Sequence, residues 1–518
     1  MSIFSSRSIR RSWRSAVALA GVLTAVLSCT NLDETPLDSL TPANAFKNDN
    51  EILAGAASVY AQLRETMWAY YNLSEVSTDE QIVPTRGSDW FDNGRWIEIY
   101  KQTWTANSGS ALDDMNGLWN NMFAGVAKAN LMINVVEKSS SPTKDASLAE
   151  LRVLRAWYYY VLMDMFGGVP LVTTTEVKPV GRVTRDSLFK FIDAELKSAR
   201  TSLRDRPAAY GRVARGAANA ILANMYLNAP VFQGTVTSAG LQRAPGRYAE
   251  AIAAADLVLN SGVYALAADY KSNFSTSNDG SPENIFVINH TSSPPGLGMS
   301  LSHRSLHYAQ MGVQGGPWNG FAGIAETYRK YDPADVRRSV WLVGQQINFE
   351  TGRNVNDRAG APLIFTDSIG DITKANENEG PRLNKFPPLV TAPCGGCHPN
   401  DYPYFRLAEM YMIKAEALNE TGQTSQAIAI LNTLRARAFS PAKPLSAGLS
   451  QSDTRAAILN ERLFEFAGEG KRRQDTIRLG GYISARQFKP ATAAYKVLFP
   501  IPISQIQNNP LLVQNAGY

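Results

Sequence analysis

Between residues 404 and 438 the chain sets two apolar helical stripes on either side of a glycine, and this hairpin limits the fold more than any other stretch. Ala415 and Leu418 lie on the first stripe, Gly422 at the turn, and Ala427 and Leu431 on the second. Small residues at 415 and 427 let two helices approach closely, and Gly422 permits the tight reversal. The offset is that of a helix–turn–helix repeat of about 34 residues.

Other segments carry the same period. Residues 50–65 place Ile52, Leu53, Ala56, Val59, Tyr60 and Leu63 at helical spacing. Residues 112–137 do so with Leu118, Met122, Val126, Ala129, Ile133 and Val136. Further helices are expected over 147–166, from a cap at Asp186 to about Leu203, and over 212–228, 248–260, 404–420, 424–438 and 454–467. The pairs expected are 147–166 with 186–203, 212–228 with 248–260, and 404–420 with 424–438. One such pair cannot bury its apolar face alone, so the pairs must stack. Two regions break the period. Residues 66–110, rich in Trp, Tyr, Asp, Asn and Gly, read mainly as irregular loop, and 265–400 as a loop-rich insertion with short strands such as Ile285–Ile288. The expected class is mostly α: a tetratricopeptide-like scaffold of helical pairs with a large loop-rich insertion containing short strands. The last fifty residues read as one short helix and extended, Pro-punctuated chain.

The front of the chain is a separate matter. Residues 1–15 are basic and Ser-rich, and 16–27 form a twelve-residue apolar run, shorter than the roughly 20 residues that span a bilayer. This is the pattern of a secretory signal. It ends in Val26-Leu27-Ser28-Cys29, a sequence like a bacterial lipobox, so cleavage is expected after residue 28 with lipid attached to Cys29. Anchoring is then by acyl chains in the outer membrane, not by a spanning helix. Residues 29–49 become a tether, followed by a helical region 50–264, the insertion 265–400 and a helical region with its tail, 401–518. Acidic residues just after Cys29 resemble a surface-export signal, which faces the protein to the cell exterior. The leader also accounts for the charge. Net charge is +5, but Arg7, Arg10, Arg11 and Arg14 precede Cys29, and without them Lys plus Arg stands at 47 against 46 acidic residues. The net charge is therefore no warrant for nucleic-acid binding, which needs a clustered basic face, and no nucleic-acid partner is expected.

Catalytic signatures are missing. The chain has no Gly-x-Ser-x-Gly elbow, phosphate loop or dinucleotide fingerprint. His303 and His307 are four apart, but Arg304 stands where a zinc protease needs Glu, so no metal is expected there. An Asp-rich loop at 276–283 leaves calcium open. Scattered carboxylates leave a glycoside hydrolase as an alternative, since an acid pair is spatial and invisible in sequence. Cys394-Gly-Gly-Cys397-His398 leaves open a haem site, a disulfide, and a metal site or free thiols. It matches the c-type haem attachment pattern, which would make the chain a redox lipoprotein. It equally suits a disulfide between Cys394 and Cys397 in an oxidising compartment, because lipid occupies Cys29.

Four segments stand out: Leu151–Leu162 with Phe166–Val172, Phe405–Ala417, Ile458–Gly470 running on to Arg478, and the end, Leu498–Pro502 with Asn509–Leu512 and Gln514–Tyr518. Together they resemble the SusD/RagB family of outer-membrane nutrient-binding lipoproteins. The resemblance implies a SusD-like helical superhelix without enzymatic activity or cofactor. It also implies a partner, a SusC-like TonB-dependent transporter that the protein caps and supplies with an oligosaccharide or other nutrient. Glu461, Arg462, Glu465, Glu469, Arg473, Asp475 and Arg478 alternate in sign and are read as a charged network holding the terminal segment. Ligand residues follow from sugar chemistry, which asks for aromatic platforms beside hydrogen-bonding side chains. The candidates are Asp79, Glu80, Arg86, Asp89, Trp90, Asp92, Asn93 and Trp96 in the first loop region and Trp318 and Asn319 in the second. Trp104 and Trp119 are assigned to the core.

Overall fold

The computed structural model describes residues 48–107, 109–294 and 296–518, so Cys29 and its leader lie outside the described residues. The helices stack in chain order. Asp49–Ala61 packs on Leu112–Glu137, which packs on Lys144–Phe166, and that on Arg185–Ser202. Arg215–Leu227, Tyr248–Leu259, Leu407–Glu420, Thr424–Ala438 and Gln451–Phe466 continue the stack, each against the one before. All three expected pairs are present. The seam of the 407–438 hairpin is made by Ala415, Leu418, Ala427 and Leu431, with Ile458 of the next helix sealing it. Burying each large apolar side chain there contributes about 1.5–3 kcal/mol. Gly422 takes φ 81°, the left-handed turn that residues with a Cβ avoid. Thr184, not Asp186, caps its helix: its side chain accepts from the Ser187 N–H, and Asp186 sits in the first turn, where a negative charge suits the helix dipole.

Residues 260–406 leave the stack between two helices, Tyr248–Leu259 and Leu407–Glu420, that pack directly on each other. The excursion is anchored by an antiparallel pair of strands, Asn284–Ile288 and Tyr402–Arg406, with Tyr402 opposite Ile288 and Arg406 opposite Asn284. The remaining strands are two or three residues long. The expected charged network exists, and its acids Glu461, Glu465 and Glu469 grip the excursion as well. Arg406 Nε bonds Glu469 at 2.8 Å, and its Nη1 bonds Glu465 at 2.7 Å and Glu283 at 3.2 Å. Arg337 bonds Glu461 and Glu465, and Lys385 bonds Glu469. Arg462 bonds Asp475, and Arg478 bonds Glu416, which ties the start of the terminal segment to the stack, while Arg473, bonded to Asp164 and to the Val497 carbonyl, reaches further along it. That segment holds three helical stretches, Arg472–Leu479, the 3-10 turn Ala494–Val497 and Ile503–Asn508, where one was expected.

Residues 66–110 need correction. They contain helices Ala69–Glu75 and Arg95–Lys101, and every residue of the first is buried. Its polar residues find partners inside: Asn72 donates to Asp114 at 3.0 Å, and Glu75 accepts from the Gly470 N–H at 2.5 Å. A helix buried on all sides shows no amphipathic stripe, which is why the periodicity missed it.

Asp401 marks the point where the chain returns to the stack. Its carboxylate accepts from the His290 N–H at 2.7 Å, and burial pushes its pKa up to about 6. The folded state therefore binds a proton that the unfolded chain, near pKa 3.9, has released. Stability then falls as pH rises between those two values. Asp401→Asn keeps the acceptor and removes the charge. Melting temperatures across that interval should show the variant gaining on wild type as pH rises.

Candidate functional site

The two predicted tryptophan clusters come together. Trp90 lies in the loop before helix Arg95–Lys101, and Trp318 in the loop after the short helix Leu301–Ser305. The Trp90 indole N–H donates to the Trp318 carbonyl at 2.6 Å, and the ring centroids are 6.5 Å apart. Trp90 stands edge-on to Trp96 at 5.4 Å and to Phe321 at 5.9 Å. Trp96 and Phe321 are buried and form a floor, Trp90 and Trp318 are half-buried, and Phe91 is 55% exposed.

The backbone is bent to make this possible. Trp90 has φ 60°, with Asp92 at 38° and Asn93 at 53°, a region that bulky residues rarely enter. Such strain costs about 1–3 kcal/mol per residue and persists only where the surroundings hold it. Arg86 and Asp89 hold it by exchanging backbone hydrogen bonds of 2.9 and 3.0 Å. Gly320 leaves room for the ring, since a Cβ there would come within 2.4 Å of the Trp90 indole. Gly320→Ala should displace that indole, shifting tryptophan emission while far-ultraviolet circular dichroism stays the same.

A polar rim borders the indoles. Tyr308 Oη donates to Asp89 Oδ2 at 2.6 Å, and Arg358 Nη2 donates to the same oxygen at 3.0 Å. Arg358 Nε reaches Glu377 Oε2 at 3.0 Å, and its guanidinium lies 4.8 Å over the Tyr308 ring. His307 Nδ1 accepts from the Ala309 N–H, so its proton sits on Nε2, which donates to Glu377 at 2.9 Å. Burial pushes His307 down and keeps it neutral. Burial alone would raise Glu377, but the bonds from His307 and Arg358 outweigh it and hold the carboxyl below its ordinary range. The rim thus offers carboxylate acceptors and guanidinium and phenol donors beside aromatic faces.

The other predicted residues divide. Asp92 accepts from the Trp96 indole N–H at 2.6 Å, and Asn93 is exposed. Asn319 is buried, donating to the Glu377 carbonyl and accepting from Arg382. Arg86 is buried and donates to the carbonyls of Asn319, Gly320, Asn376 and Glu379, so it fastens the Trp318 loop from behind. Glu80 is buried and bonded to the Gly468 N–H. Asp79 pairs with Arg472 through two bonds of 2.7 Å, far from an open acceptor. Arg86, Trp96 and Asn319 are thus buried behind the indoles, while Glu80 is buried elsewhere against Gly468. Trp104 and Trp119 are core residues as expected. The residues missed are Tyr308, Arg358 and Glu377, all in the excursion. Arg358 meets Asp89 across 269 residues of chain, and nothing local announces that meeting.

Cys394 and Cys397 are joined to each other as a disulfide, which overturns the haem reading because neither sulfur is left for a thioether. His398 is buried between the Leu389 N–H and His303. His303 and His307 do not converge, since one bonds His398 and the other Glu377. Among the described residues no group of three or more His, Cys, Asp or Glu is arranged to hold a metal, and no helix is long and apolar enough to cross a membrane. A separate groove of about 290 Å³ runs between helix Asp49–Ala61 and strand Asn284–Ile288, lined mainly by Leu53, Ala56, Ala57, Tyr210, Val287 and Ile288.

Comparison with known proteins agrees with this architecture. The model described as "SusD family" matches residues 264–518, and one described as "Starch-binding associating with outer membrane" matches 32–227. The chain belongs to the SusD-like family. The starch-binding protein SusD of Bacteroides thetaiotaomicron is 24% identical over 97% of this chain and 98% of its own length. A SusD-like protein of Formosa agariphila is 23% identical over 94% of this chain and 96% of its own. Among solved structures, a laminarin-binding SusD-like protein superposes with TM-score 0.72 at 23% identity, covering 91% of this chain and 100% of that one. Surface glycan-binding protein A of Bacteroides thetaiotaomicron, in complex with laminarihexaose, gives 0.71 at 21%, with 91% and 100% covered.

Proposed function

We propose that the protein is a glycan-binding lipoprotein of the outer-membrane surface, held by lipid on Cys29, that passes an oligosaccharide to a SusC-like TonB-dependent transporter. The observation that carries this reading is the strained, half-exposed Trp90 beside Trp318, bordered by Asp89, Tyr308, Arg358 and Glu377. Indole faces cover the CH surface of a pyranose while the rim bonds its hydroxyls. Asn93 and Phe91 extend the same surface. Relatives named for starch, laminarin and surface-glycan binding support the ligand class, and the family description supports the outer membrane.

Binding without turnover suits the carboxylates. A glycosidase needs one acid whose proton is retained at working pH, with pKa raised. The bonds from His307 and Arg358 hold the Glu377 carboxyl below its ordinary range, so it is not poised to protonate a leaving group. Affinity electrophoresis through gels containing starch, laminarin or other polysaccharides tests the reading. Wild type should be retarded by at least one polysaccharide, and Trp318→Ala should migrate freely in it. Free migration of wild type in every gel, or equal retardation of the variant, would count against the platform.

A further inference from the structure

The glycan platform just proposed rests on Trp318, and the disulfide loop lies directly behind it. The loop bonds the chain ahead of Trp318 at two places, Gly298–Met299 and Gln314. Gly298 N–H donates to the Gly396 carbonyl at 3.1 Å, Met299 N–H to the His398 carbonyl at 2.8 Å, and Gly395 N–H to the Gln314 carbonyl at 3.2 Å. Gly395 also presses on the His303 ring: a Cβ there would come within 2.8 Å of it. His303 in turn holds Trp318, accepting the Trp318 N–H on its carbonyl at 2.7 Å, with the two rings 6.2 Å apart.

The proton positions follow from the backbone. Leu389 N–H donates to His398 Nδ1 at 2.9 Å, so that ring is protonated on Nε2. His398 Nε2 therefore donates to His303 Nδ1 across 2.9 Å. Both rings are buried, and burial lowers them to about 3 and about 4, so the pair is neutral and the bond has one direction. The result is a continuous line from the Cys394–Cys397 bridge through His398 and His303 to Trp318.

We propose that the disulfide-closed loop 394–398 is a positioning clamp for Trp318, acting through the His398–His303 pair. Cys394, Cys397, His398 and His303 are positioning residues here, and none of them touches the ligand. Closing the loop restricts the residues behind the indole, so the platform is rigid before sugar arrives. The inference rests on the platform reading for its purpose, but its geometry can be tested without any sugar.

The test labels the full chain with 5-fluorotryptophan and assigns the Trp318 fluorine resonance with Trp318→Phe. In Cys394→Ser/Cys397→Ser and in His303→Leu, the Trp318 resonance should move and broaden while those of Trp104 and Trp119 stay in place. His303→Asn puts an amide oxygen where Nδ1 accepted and should restore the wild-type resonance. An unmoved Trp318 resonance in the double serine variant overturns the clamp, and equal disturbance by Leu and Asn overturns the histidine pair as its route. Titration with laminarihexaose then separates the two readings. If the platform binds sugar, the double serine variant should bind roughly tenfold more weakly. A resonance that responds while Trp318→Ala leaves sugar binding intact would sink the platform and leave the clamp standing.

Discussion

Arg406→Ala is expected to cost about 3–5 kcal/mol of folding stability, because it leaves buried carboxylates without their cation. Arg406 is fully buried where strand Tyr402–Arg406 meets helix Leu407–Glu420, and it bonds Glu283, Glu465 and Glu469 together. Burial alone would raise Glu465, but Arg437, Arg406 and Arg337 reverse that and hold its carboxyl well below the ordinary range. Removing one cation from this set does more than delete a bond, since the acids stay behind in a dry site. Urea denaturation should show a much lower midpoint for the variant. Arg329→Ala is the control, because its pair with Asp367 lies in solvent and should leave the midpoint unchanged. A small effect at Arg406 would mean that the excursion is held by its strands and apolar contacts, not by charge.

Trp90→Ala is expected to weaken glycan binding by about 2 kcal/mol, roughly 30-fold in Kd, the size usual for an aromatic anchor. The loss should fall on affinity and not on stability. The ring is half-exposed, and Ala keeps the Cβ that strains the backbone there, so that strain is unchanged. Melting temperature should therefore change little while calorimetric affinity falls. A residue that only packed would show the reverse. Trp96→Ala supplies that contrast, because Trp96 is buried beneath Trp90 and its loss should lower both quantities.

Helices such as Arg185–Ser202 and Thr424–Ala438 were legible because they bury one face and expose the other, and the almost wholly buried Arg215–Leu227 was legible from its Ala-rich composition. Ala415, Leu418, Ala427 and Leu431 announce their partners through spacing alone. The helix Ala69–Glu75 was not legible for the opposite reason: it is enclosed on all sides, and its polar residues are satisfied by Asp114 and Gly470 from distant segments. The site divides in the same way. Trp90 and Trp318 stood out as aromatics set among polar residues, and they do meet. Their neighbours Arg86 and Glu80 have the same composition around them, yet they point inward, because loop sequence carries no period to tell facing out from facing in. Tyr308, Arg358 and Glu377 join Asp89 only through the path of the excursion. The disulfide was one of three open readings of its motif, beside haem and a metal site or free thiols, and in the structure the two sulfurs are bonded.

The central claim is that the indole pair grips sugar and leaves it whole. The direct measurement is a calorimetric titration with laminarihexaose, or with a fragment of whichever polysaccharide retards the protein, followed by chromatography of the recovered sugar. Wild type should saturate, the Trp90→Ala/Trp318→Ala double variant should give no heat of binding, and the sugar should return at full length. Saturation by the double variant, or shortened sugar in proportion to the amount of protein, would contradict the account.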